Sequence, residues 1–127
     1  LLGDDVYASD GSAQSKTRSA SPTRPAMFML SLQNDGPFAA SLRLRGPRSV
    51  PGCTVRYAIE GRRVTGAIDA GSYVTPLLTP GTTITLAVEV EPGRNSRRGA
   101  SCTVRVGARS EVPTGPRDVA RLTAVRN

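Results

Sequence analysis

The stretch TTITLAVEVE, residues 82–91, alternates apolar and polar side chains from end to end. One phase holds the apolar residues Ile84, Leu86, Val88 and Val90. Because successive side chains of a β-strand point to opposite faces, this alternation predicts a strand with one buried and one exposed face. Pro-Gly pairs at 80–81 and 92–93 bound the stretch, and both are turn signals.

The same alternation recurs along the rest of the chain, with turn residues between the runs. Gly (13) and Pro (10) fall mostly in those intervals, and no window shows the i, i+3, i+4, i+7 spacing of an amphipathic helix. We therefore predict an all-β protein, an antiparallel β-sandwich of seven to nine strands. The other predicted strands cover residues 14–21, 26–34, 38–45, 53–59, 62–65, 73–78, 101–109 and 117–126.

Residues 1–25 differ from the rest of the chain because they are rich in Ser, Thr and Arg and poor in apolar side chains. We predict an extended polar N-terminal arm at 1–25, followed by the sandwich at 26–127. A strand at 14–21 would pair with the chain's own sheet or with a neighbouring molecule's. If the arm is donated to a neighbour, the apolar residues that could anchor it are Leu1, Leu2, Val6 and Tyr7.

Two cysteines, Cys53 and Cys102, each fall in phase with the apolar residues of a predicted strand. Both thiols should then point into one core, where a disulfide would close a loop of about 50 residues and stabilise the fold by about 4 kcal/mol. Two buried free thiols are the alternative. We predict the disulfide, and with it a secreted or cell-surface location.

Four segments follow one another along the chain, each of which combines a turn motif with a strand pattern: SLQNDGP, GCTVRYAIEG, TPLLTPGTTITLAVEVEPG and RRGASCTVRVGARSE. Over residues 26–126 this order resembles bacterial immunoglobulin-like modules of the NEW3 and CARDB-like kind. The matching positions are Asn34, Gly36, Pro80, Gly81, Thr85, Leu86, Pro92, Gly93, Ala108 and Ser110. The resemblance implies an immunoglobulin-like sandwich and a non-catalytic part of a secreted or surface-exposed protein.

Little catalytic chemistry is available to this chain. It has no histidine, which removes Ser-His-Asp and Cys-His catalysis and histidine-ligated zinc. Asp4, Asp5 and Asp10 could bind calcium, but their spacing departs from an EF-hand loop, and acidic turn residues are the simpler interpretation. We expect no enzymatic activity, no cofactor and no metal centre.

Basic residues outnumber acidic ones by 17 to 10, and all but Lys16 are arginines. Two turns could form an anion-binding edge, with a solvated surface as the alternative; the candidates are Arg62, Arg63, Arg94, Arg97 and Arg98. Arg43 and Arg45 fall on the outward phase of their strand, on a basic surface that a partner could use. Aromatic residues do not interleave with the arginines, so we expect no nucleic-acid binding. No apolar stretch approaches the ~20 residues of a membrane span, so we expect no membrane insertion.

Two functions follow from this pattern. The first is a structural subunit that assembles with copies of itself into a surface fibre, layer or stalk through contacts at strand edges. The second is a binding module for an anionic polysaccharide or another cell-envelope polymer, which would use the arginine loops.

Overall fold

Two β-sheets account for most of this chain, in a computed structural model that describes residues 15–33, 39, 41–110 and 117–127. The strands are β1 (Ser15–Ala20), β2 (Ala26–Gln33), β3 (Leu42–Arg45), β4 (Ser49–Val50), β5 (Cys53–Ile59), β6 (Arg62–Arg63), β7 (Tyr73–Val74), β8 (Thr83–Pro92), β9 (Ser101–Ser110) and β10 (Arg117–Arg126). A helix, α1 (Thr65–Ala70), follows β6. The described residues contain one strand more than the nine predicted, because the two-residue β4 was not predicted.

The strands are arranged in a sandwich. Sheet 1 has the order β1-β10-β9-β3-β7, and sheet 2 has the order β2-β8-β5-β4, with β6 paired to β5. Every pairing is antiparallel except β1 with β10, which is parallel. The predicted all-β, immunoglobulin-like sandwich is therefore confirmed.

The core lies between the sheets and is built by the alternation that the sequence displays. In β8, Leu86, Val88 and Val90 are 0% exposed, and β8 pairs with β2 on one side and with β5 on the other. Sheet 1 supplies Val104 and Leu122, also 0% exposed. Of the four residues predicted to face inward in β8, Ile84 is half-buried, and it lies near the start of the strand.

The segment 15–20 belongs to the sandwich and pairs within its own chain. β1 runs parallel to β10, with Ser15 opposite Arg121 and Ala20 opposite Arg126, and Ala20 is 2% exposed in the core. Of the two pairings considered for this strand, the structure has the one within the chain. The other candidate positions of the arm, its apolar anchors and its three aspartates, lie outside the described residues.

The one helix in the described part of the chain was not predicted. The prediction extended a strand over residues 62–65, whereas α1 begins at Thr65 and ends at Ala70, and Gly71 caps it with a left-handed φ of 72°. Only Ile68 of its residues is buried, so no apolar periodicity marks it in the sequence. No helix of the described residues has the length and apolarity needed to cross a membrane.

Sheet 1 ends at a strand shorter than the predicted 73–78. After β7, Thr75 exchanges bonds with β3: its amide donates to Leu42 O (2.8 Å), and its side-chain oxygen accepts from the Leu42 amide (2.9 Å). Pro76 follows and has no amide to donate, so regular pairing stops there.

Candidate functional site

The disulfide joins the two sheets of the sandwich. Cys53 opens β5 in sheet 2, Cys102 lies at the start of β9 in sheet 1, and their sulfurs are bonded at 2.07 Å. Both side chains are buried, at 7% and 8% exposure. The bond therefore confirms the prediction made from strand phase. The disulfide lies beside the loop that connects β8 to β9 (residues 93–100), where the Gly93 amide donates to Gly52 O (2.8 Å).

Tyr57 is a framework residue. It is 1% exposed, and its hydroxyl donates a hydrogen bond to Pro47 O (2.8 Å). Burial raises the pKa of Tyr57 far above its usual value, and the negative charge of Asp69 adds to the effect. A Cβ on Gly46 would collide with this hydroxyl. The phenol thus pins the segment after β3 to the core, and it stays protonated in neutral solution.

No metal centre is visible in the part of the chain that the structure describes. There, no group of three His, Cys, Asp or Glu side chains could hold a metal ion. The described surface carries arginines, carboxylates and hydroxyl groups, which suit recognition of charged and polar partners.

The arginine candidates from the two turns lie at opposite ends of β5. Arg62 pairs with Ile59 at the carboxyl end of that strand, whereas Arg94 lines a groove beside Cys53 at its amino end. Seven residues of strand separate the two groups, a length of about 20 Å at ~3.3 Å per residue. The five arginines therefore do not form one anion-binding edge.

The β8–β9 loop, residues 93–100, forms one of these two sites. Its groove is lined by Gly52, Cys53, Arg94 and Ser96, among others. Arg126 from the end of β10 donates from Nε to Ser96 Oγ (3.1 Å), and this bond ties the loop to sheet 1. Arg94, Arg97 and Arg98 themselves are exposed.

At the carboxyl end of β5, β6 borders a hollow in the surface. Arg62, Arg63 and Tyr73 line it together with Glu60. The arginines are exposed and Tyr73 is half-buried against the core. The Glu60 carboxylate offsets part of the positive charge of Arg62 and Arg63, and so weakens the attraction of this hollow for an anion.

On the outer face of sheet 2, an arginine is paired with two carboxylates. Arg56 Nη1 donates to Glu89 Oε2 at 3.0 Å and to Glu91 Oε2 at 3.4 Å. These two hydrogen bonds raise the pKa of Arg56, the one to Glu89 contributing most. Met27 and Met29 extend this face toward the β2 edge and are 45% and 55% exposed.

The outer face of sheet 1 carries arginines that face one another. Arg105 on β9 lies directly opposite Arg121 on β10. Arg45 on β3 lies opposite Gly107, two positions along β9 from Arg105. Neither Arg45 nor Arg105 forms an ion pair with a carboxylate that the structure describes. The outward phase of Arg45 could be predicted from its strand, but Arg105 and Arg121 could not be placed beside it without the strand order.

Comparison with known proteins identifies a fold and no family. No family model matches the chain, and no curated protein matches it in sequence. Among solved structures, the chain is similar to the ASH / PapD-like domain of human CEP192 (PapD-like domain 7). The TM-score is 0.52 at 16% identity, over 89% of this chain and 80% of that one. At this identity the likeness shows the sandwich fold alone, and the resemblance to NEW3 and CARDB-like modules stays a prediction.

Proposed function

We propose that this protein is a non-catalytic, extracellular structural subunit that assembles with copies of itself through the edge of strand β2. The observation that carries the proposal is the unequal protection of the sheet edges. β2 has eight residues, and in the described residues it pairs only with β8. A long edge strand offers a row of backbone donors and acceptors to an incoming strand.

The other three sheet edges are protected. Sheet 1 ends at β1, where Lys16 and Arg18 are exposed, and at β7, which has two residues. Sheet 2 ends on its far side at β4, also with two residues. Short strands and charged side chains are the usual means by which natural sheets avoid edge pairing. β2 lacks both, since its exposed side chains include Met27 and Met29.

The strand we assign to this edge is residues 1–14 of a neighbouring copy. That segment directly precedes β1 in the chain, and β1 is followed by β2. Donation from each copy to the next is a head-to-tail contact, and such a contact propagates into a filament unless it closes into a ring. The disulfide supports an oxidising, extracellular setting for this assembly.

Deletion of residues 1–14 tests the donor while leaving β1 intact. The full chain should form polymers by light scattering and negative-stain microscopy, and the shortened chain should be monomeric. A synthetic peptide of residues 1–14 should then bind the shortened chain. A full chain that stays monomeric up to about 1 mM would overturn the proposal.

Two lysine substitutions test the acceptor. Met29→Lys places a charge on the β2 edge strand and should reduce polymer formation. Thr54→Lys adds the same charge to an exposed position of the same sheet, on β5, and should leave polymers unchanged. Equal effects of the two substitutions would argue against β2 as the acceptor.

A further inference from the structure

The outer face of sheet 1 gathers arginines from three neighbouring strands. We call Arg45, Arg105 and Arg121 the arginine face. Arg105 and Arg121 are direct cross-strand partners, so their Cβ atoms lie about 5 Å apart. Arg45 is diagonal to Arg105 across the β3–β9 ladder, which corresponds to about 7–8 Å. Three arginine positions therefore share a small area of one sheet, and the Arg45 side chain itself lies beside Gly71, just before β7.

The backbone register places more arginine positions on the same three strands. Arg109 of β9 is paired with Arg43 on one side and with Arg117 on the other. Arg105 and Arg109 are four residues apart on one strand, about 13 Å. Gly107 lies between them and has no side chain, and glycine within a strand is typical of places where another molecule approaches closely. The register thus places further arginine positions in line with Arg105 and Arg45.

Carboxylates are absent from the outward phase of sheet 1 in the residues that the structure describes. Of the acids described, Glu89 and Glu91 pair with Arg56 on sheet 2, and Asp69 on α1 lies near Arg48. Glu60 lies in the β5–β6 turn. Like charges directly opposite each other destabilise a sheet, so the folded chain carries this cost without a described acid to offset it.

Arg121 adds a second, independent observation. Its Nε atom is buried and has no hydrogen-bond partner within the described structure. Buried donors are nearly always paired in native proteins, and an unpaired one is explained by a bound ion, a water or strain. An anion at the arginine face would accept this bond.

The side chains around the arginines indicate which anion fits. The neighbouring row pairs Thr103 with Thr123, and Thr17 lies next to Thr123 on β1. Hydroxyl groups donate to and accept from sugar hydroxyls, and arginine binds carboxylates in a bidentate fashion. No aromatic side chain occupies the described outward positions of this sheet, so the base-stacking platform of single-stranded nucleic-acid binders is lacking.

We propose that the arginine face is a binding site for an acidic polysaccharide, whose carboxylate or sulfate groups pair with Arg45, Arg105 and Arg121. This site replaces the two arginine turns as the anion-binding surface of the molecule. It lies on sheet 1, whereas the strand uptake proposed above uses the edge of sheet 2. Either proposal can therefore fail without the other.

The test compares three double substitutions with the same change in net charge. R105Q/R121Q removes two charges from the arginine face, R62Q/R63Q removes two from β6, and R94Q/R97Q removes two from the β8–β9 loop. The probes are polygalacturonate for carboxylates, dextran sulfate for sulfates, and a single-stranded oligonucleotide. Affinity is measured on the full chain at low and physiological salt, with circular dichroism and size-exclusion profiles to confirm fold and assembly.

Binding to at least one polysaccharide should weaken about tenfold or more in R105Q/R121Q and change by less than about twofold in the other two variants. R105K/R121K keeps both charges but loses the planar fork, so it should recover part of the affinity. Which polymer binds distinguishes carboxylate from sulfate recognition. Equal losses in all three variants, tighter binding to the oligonucleotide than to either polysaccharide, or no binding to any probe would overturn the proposal.

Discussion

The two outer faces of this sandwich use arginine in opposite ways. On sheet 2, Arg56 lies within hydrogen-bond distance of Glu89 and Glu91, and its charge is balanced inside the molecule. On sheet 1, Arg105 faces Arg121 across the ladder with no described carboxylate beside it. The first arrangement contributes to the framework. The second sets like charges opposite each other, which lowers the stability of a sheet, and our proposal is that it serves binding.

Removal of the disulfide should have the largest effect, because the bond joins the sheets that carry the two faces. Cys53 and Cys102 are 49 positions apart, and the double substitution C53A/C102A should lower the free energy of unfolding by about 4 kcal/mol. Urea denaturation measures the loss. The unmodified chain should show no free thiol under denaturing, non-reducing conditions, and two titratable thiols would contradict the bond.

Charge reversal on sheet 2 should come next. Arg56→Glu places a third carboxylate next to Glu89 and Glu91 and removes their shared partner, so the free energy of unfolding should fall by about 1–2 kcal/mol at neutral pH. Because salt screens the repulsion between partly exposed charges, part of this loss should disappear when denaturation is repeated at high salt. A loss of the same size at low and high salt would show that packing, rather than charge, is responsible.

The Tyr57 hydroxyl should contribute about 1 kcal/mol to the free energy of unfolding. This contribution belongs to neither outer face, because the residue lies in the core between the two sheets. Tyr57→Phe removes its bond to Pro47 O. Burial raises the pKa of Tyr57 in the folded state, so stability from this group is fully present below the unfolded pKa of about 10 and is lost as pH rises above it. Thermal unfolding between pH 8 and 11 should therefore show a smaller alkaline loss for Tyr57→Phe than for the unmodified chain.

The matched reversal on sheet 1 should have the smallest effect and the opposite sign. Arg105→Glu makes the same charge change as Arg56→Glu but sets a carboxylate opposite Arg121, so the free energy of unfolding should rise by about 0.5 kcal/mol. The same variant should lose affinity for acidic polysaccharides. Destabilisation by Arg105→Glu would mean that the arginines of sheet 1 are compensated, and the contrast between the two faces would then be withdrawn.

Much of the framework could be predicted from the sequence because strand phase is a local property. The inward residues Leu86 and Val104 and the cysteine pair all lie where their alternation places them. The acidic residues of β8 likewise lie on its outward phase, where Arg56 meets them. Helix α1 could not be predicted, since a six-residue helix with one buried side chain leaves no periodic signal.

Amino-acid order by itself determined which face of each strand a residue occupies, and hence the core, the inward direction of Cys53 and Cys102, and the outward direction of Arg45. Only the tertiary structure decided which strands are neighbours. It set Arg121 opposite Arg105, brought Arg45 to the same surface, and separated the arginines of β6 from those of the β8–β9 loop by the length of β5. The physical reason is that alternation specifies a side chain's face within its own strand, whereas sheet order and register depend on packing of the whole core.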